Sequence, residues 1–212
     1  MRNAACSVFV GVVVLGCATS EPSPASRERR VVLQVDGPRG GEFTDAAGRA
    51  LGYRIFRIHV RNDGAVPFEL AMDFPGGSVP LLPANETQLD VFLFPRETSP
   101  GTVQDVMNFG IPSVDAHILA RAEEPTSLRT TVRPGEEQLA YVGVTFAPSG
   151  LGGLARAELL LDGQRPDPSL FPVELLPAVR ATGAASGLVF GIAIDPPSHH
   201  ALIPCGRIVF VD

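Results

Sequence analysis

The residues best suited to chemistry stand together near the end of the chain, in "DPPSHHALIPC", which carries Asp195, His199, His200 and Cys205. A carboxylate, two imidazoles and a thiol are proper ligands for zinc or copper. Their spacing fits no standard metal site, and adjacent histidines on an extended chain point to opposite sides, so convergence requires an irregular loop. The segment from 195 to 205 reads as a proline-rich loop with solvated histidines and no cofactor; metal or small-ligand binding there is the alternative. His59, in "RIFRIHVR", stands between Arg57 and Arg61, whose like charge disfavours its protonation. His117, in "DAHILARA", alternates with Asp115 and reads as part of a strand's polar face. Neither has a serine partner. Gly-x-Ser-x-Gly and His-Glu-x-x-His are absent, and Asp162-Gly163 and Asp167 lack a calcium-loop pattern. All 17 basic residues are arginine. Without lysine there is neither a P-loop nor a pyridoxal Schiff base. The chain therefore reads as a non-enzyme.

The N-terminus carries a different chemistry. Arg2 precedes residues 4 to 16, which are apolar or small except Ser7. A spanning helix needs about 20 apolar residues, so this run has the length of a signal-peptide core. It ends in Val14-Leu15-Gly16-Cys17, which resembles the bacterial lipobox. Leu15 departs from the small residue common at its position. The resemblance implies cleavage before Cys17, diacylglycerol on its thiol, acylation of its new amino group and anchoring in the cell envelope through palmitate-like chains. Ala18, where an Asp would retain the protein at the inner membrane of Gram-negative families, implies outer-membrane sorting. Residues 1 to 16 are then the signal peptide. Residues 17 to 30, "CATSEPSPASRERR", are the lipidated cysteine and a flexible tether, whose 13 residues after Cys17 reach at most about 40 Å at ~3.1 Å each. Cys6 has too little apolar sequence before it to compete. With Cys17 lipidated, Cys205 has no intramolecular partner; it reads as a buried small apolar residue, with a reactive thiol or an intermolecular disulfide as the alternatives.

Residues 31 to 212 must supply the fold, and they suffice for one domain burying roughly 70% of its unfolded surface. The 22 glycines and 20 prolines punctuate the chain at short intervals, and the apolar spacing is mostly two. Both predict an all-β class. Strands are expected near 31–36, 53–61, 66–72, 88–94, 115–122, 127–132, 138–146, 154–162, 172–181, 188–194 and 207–211. In the second, Phe56, Ile58 and Val60 face the core, while Arg57, His59 and Arg61 face water. In "QLDVFLF", Leu89, Val91 and Leu93 oppose Phe92 and Phe94, so that strand is buried on both faces. "RNDG" at 61–64 is a turn, closing a three-residue hairpin loop or crossing between two sheets. Residues 95 to 114 lack a strand pattern, yet hold Val103, Val106, Met107, Phe109 and Ile111. They either cap an open sheet edge or present a partner-binding patch. The net charge of −6 gives no electrostatic basis for nucleic acid binding.

Three stretches, "IHVRNDGAVPFEL", "VRPGEEQLAYVGVTFAPSGLGGLARAELLLD" and "FPVELLPAVRATG", together resemble the ASH or major-sperm-protein-like immunoglobulin modules. The resemblance covers residues 31 to 183, with an insertion at 73–126. It implies an immunoglobulin-like β-sandwich, a crossing at "RNDG", and a non-catalytic scaffold or interaction module with a protein partner in the envelope.

Overall fold

The computed structural model describes residues 29–45, 47–74, 76–83, 88–95, 107–121, 124–146, 154–171, 185–194 and 199–211. Ten strands and one helix lie among them: β1 (Val31–Thr44), β2 (Ala50–Asn62), β3 (Phe68–Phe74), β4 (Ser78–Pro80), β5 (Gln88–Leu93), α1 (Val114–Arg121), β6 (Thr126–Val132), β7 (Glu137–Phe146), β8 (Ala155–Leu161), β9 (Ala185–Ile194) and β10 (His199–Phe210). The strands form two five-stranded antiparallel sheets, β1-β2-β7-β5-β4 and β6-β3-β10-β9-β8. The chain is an all-β sandwich.

The period-two pattern builds its core directly. Phe56, Ile58 and Val60 of β2 meet Phe68, Leu70, Met72 and Phe74 of β3, with Phe190 and Ile192 of β9 closing the layer. Phe190 stacks edge-on against both Phe56 and Phe74, at 5.9 and 6.1 Å between ring centroids. Such edge-to-face pairs add to the stabilisation from area burial.

"RNDG" does carry the chain between the sheets, because β2 lies in the first and β3 in the second. Asn62 makes the corner. Fully buried, it donates from Nδ2 to the carbonyls of Val66 and Val132, both at 3.0 Å, and accepts at Oδ1 from the Gly64 amide. Its main chain also accepts from Gly135 and donates to Glu136. One residue thus joins the crossing to the end of β6, through its side chain, and to the turn before β7, through its main chain.

Two expectations are corrected. The segment expected as a strand at 115–122 is helix α1. Its Val114 and Ile118, four residues apart, are buried on one face, and Asp115 lies in its first turn, where a negative charge favours the helix. Over eight residues the alternating pattern could not distinguish the two periods. Likewise, the expected loop at 195–205 is strand from His199 onward, continuous to Phe210. A bulge at Pro204/Gly206 permits this. Gly206 has φ of 137°, and a Cβ there would run into the Ala71 carbonyl. The nitrogen of Pro204 faces away from β9, on a side where β3 pairs only from Gly206 onward, so its missing N–H removes no ladder bond. The expected strand at 172–181 lies outside the described residues.

Candidate functional site

The structure separates the ligand set suggested by "DPPSHHALIPC". Asp195 lies outside the described residues, as does Cys17. Cys205 points into the core with Ala201 and Ile203 and is fully buried. Burial pushes its thiol up to about 12, against a hydrogen bond with the Phe190 main chain that acts the other way. It is the buried apolar residue expected. His200 lies on the opposite side of the strand, against Phe171 at 6.2 Å, beside the small cluster of Leu170, Phe171, Ala193 and Leu202. Its burial, followed by repulsion from His199, holds its imidazole below the usual range. It is a buried histidine, where the sequence reading had a solvated one. The main chain of His200 exchanges two hydrogen bonds with Leu82, 2.8 and 2.9 Å long, which tie the turn after β4 to the other sheet. Nδ1 of each histidine is buried without a hydrogen-bond partner. Among the described residues, no three of His, Cys, Asp and Glu come together as a metal site.

The outer face of the first sheet is covered, in part by the segment expected to cap an edge. Phe92 of β5 and Phe94 just after it point outward, as the doubly buried pattern of "QLDVFLF" requires, and join Phe43, Tyr53, Ile55 and Tyr141 in a second core closed by Ile111, Val114 and Ile118. His117 meets Phe94 edge-on at 6.0 Å, so it sits on a helix over an aromatic face rather than on a strand. Of the apolar residues singled out at 95–114, Ile111 is fully buried, Phe109 half-buried and Met107 60% exposed, while Val103 and Val106 lie outside the described residues. The described part is a cover over the sheet's face, not its edge. Phe109 holds a left-handed backbone, φ 61°, which a bulky residue adopts only when its surroundings impose it. Arg39 and Arg57 provide them, with guanidinium carbons 4.5 and 5.1 Å from its ring centre.

The same Arg57 leads to a charged cluster spanning three strands. Asp36 on β1 accepts from Arg57 at 2.6 and 3.2 Å, from Gln34 at 2.8 Å and from Nε2 of His59 at 3.0 Å. The Arg57 contact first, and then Gln34, hold the Asp36 carboxyl at about 2. Nδ1 of His59 stands 3.1 Å from Oε1 of Glu137 on β7. The arginines flanking His59 in sequence are each turned to a carboxylate, Arg57 to Asp36 and Arg61 to Asp63 at 2.6 Å, so His59 faces two negative groups. The 21 to 78 residues of sequence between the partners hid the cluster. The polar side of β2 was its only visible trace.

At the lateral margin β1 and β8, each at a sheet edge among the described residues, face each other without pairing to one another, around an open cleft of about 560 Å³. The hydrogen bond from the Asp63 amide to the Arg30 carbonyl fixes the phase of β1: residues 32, 34 and 36 bond to β2, and Leu33 and Val35 turn their main-chain groups outward. The bond from the Asp162 amide to the Gly187 carbonyl fixes β8 in the same way, turning Ala157 and Leu159 outward. Two rows of N–H and C=O groups, above apolar side chains and without main-chain partners among the described residues, thus border one cleft. Glu158 and Asp167 line its rim. Burial raises the carboxyl of Glu158, although it accepts from the Asp167 amide at 2.9 Å.

No protein-family model matches the chain, and no curated protein matches its sequence.

Proposed function

We propose that the chain is a bacterial envelope lipoprotein, anchored in the membrane through acylated Cys17, in which the sandwich serves as a structural or protein-interaction module without catalysis. The observation that carries the module reading is the β1/β8 cleft. Exposed strand edges accept a further strand by main-chain hydrogen bonds, and side chains at alternate positions then confer choice of partner. The anchor reading rests on Val14-Leu15-Gly16-Cys17 and on the tether that leads into β1. Outer-membrane placement rests on Ala18 and the lipobox resemblance. Two or more acyl chains hold a protein at a bilayer where one does not, each buried CH₂ contributing about 0.8 kcal/mol.

The test is expression of the full chain in a bacterium with labelled palmitate. The wild-type protein is expected in the membrane fraction, labelled and beginning at Cys17, while Cys17→Ala remains uncut and unlabelled. Label persisting in Cys17→Ala, or a mature N-terminus elsewhere, would overturn the anchor.

A further inference from the structure

We propose that His59 is a proton-dependent clasp that fastens edge strand β1 to the first sheet. Ionised carboxylates only accept hydrogen bonds, and a neutral imidazole has one N–H and one lone pair. With Nε2 at 3.0 Å from Asp36 and Nδ1 at 3.1 Å from Glu137, both contacts are hydrogen bonds only when the group of three holds one proton beyond the neutral ring. Asp36 does not carry it, because Arg57 and Gln34 already hold that carboxylate in its ionised form. The proton therefore sits between His59 and Glu137.

The charged groups facing the ring are Asp36 from β1, Arg57 and Arg61 from β2, and Glu137 from β7. Its direct neighbours in register, Gln34 and Leu139, are neutral. Arg61 bonds Asp63, which His59 does not touch, whereas Arg57 shares with the ring the Asp36 carboxylate, meeting the same oxygen, Oδ2. The ring is shielded as well as paired, with 17% of its side chain exposed.

The position gives the proton a structural consequence. Among the described strands β1 pairs only with β2, and His59 links its Asp36 across β2 to β7. Loss of the proton as pH rises sets a nitrogen lone pair against a carboxylate and releases one end of the link. Because Arg57 still holds Asp36, the strand loosens without detaching. The segment affected, residues 31 to 36, includes the Leu33 and Val35 edge that borders the β1/β8 cleft, so acidity tightens that edge.

Amide hydrogen exchange of the full chain at about pH 5.5 and about pH 8, on either side of the range in which imidazoles titrate, reads the clasp. After correction for intrinsic rates, the amides of Val32, Gln34 and Asp36 are expected to lose roughly two- to fivefold protection at the higher pH, the scale of a partly exposed ion pair. Those of Ile203 and Ile208 in β10 are expected to hold theirs. In Glu137→Gln the amide donates to the deprotonated ring, so the β1 difference should vanish while the fold is kept. Nitrogen-detected spectra of His59 should show two N–H groups at the lower pH in the wild type. A pH-independent β1 in the wild type, or the same loss in Glu137→Gln, would overturn the proposal.

Discussion

Asn62 spends its whole side chain on main-chain groups of the corner, so no smaller or apolar residue can replace it without leaving buried carbonyls and an amide unmatched. Asn62→Ala is expected to cost about 2–3 kcal/mol, read as a lower midpoint in urea at unchanged slope. Cys205 makes the opposite case, since its thiol is held protonated and out of reach. It should be inert to a thiol reagent at neutral pH and react only as the protein unfolds, at a rate set by denaturant. Asp36 gives an acid limb. Its carboxyl, lowered to about 2 in the folded protein, contributes stability that is complete above the ordinary carboxylate range and lost as pH falls through that range toward 2. Asp36→Asn should flatten that limb of a melting-temperature profile below about pH 4.

The elements differ in how openly their sequences announce them. Phe56, Ile58 and Val60 alternate with charged residues over a full strand, and β2 forms where that pattern says, because half of each residue pair has only one place to go. "QLDVFLF" showed that something must cover Phe92 and Phe94, but not that the cover includes a helix. "DAHILARA" fits period two as well as 3.6, and its packing against distant aromatics decides the matter. "ALIPCGR" was hidden by Pro204 and Gly206, which read as punctuation locally and prove to be a bulge within one strand. His59, Asp36 and Glu137 became a cluster only once strand register set them side by side. Ile118→Ala, which removes a fully packed side chain from the cover, should lower stability by about 2–4 kcal/mol, whereas Leu119→Ser on the exposed side of the same helix should change it by less than about 0.5 kcal/mol in thermal unfolding.

At the scale of the molecule, both sheets and both cores as described are built from residues after Arg29, so a chain beginning there is expected to keep the melting temperature of the longer one within a few degrees. The two ends of the described chain leave the sandwich at the same corner. Arg30 is bonded to Asp63, and Val211 to Pro67, within the crossing from β2 to β3. A pull on the start of β1, resisted at the far end of the sandwich, therefore runs lengthwise along β1. Its ladder, from Val31 opposite Asn62 to Thr44 opposite Ala50, is then loaded in shear, with many hydrogen bonds sharing the force at once. A pull between the two chain ends would instead peel the same strand away one pair at a time. The corner geometry thus makes the sandwich a stiff link when force runs from the start of β1 to its far end and a weak one when the two described chain ends are drawn apart, two unfolding rates that a force experiment would separate by choice of attachment point.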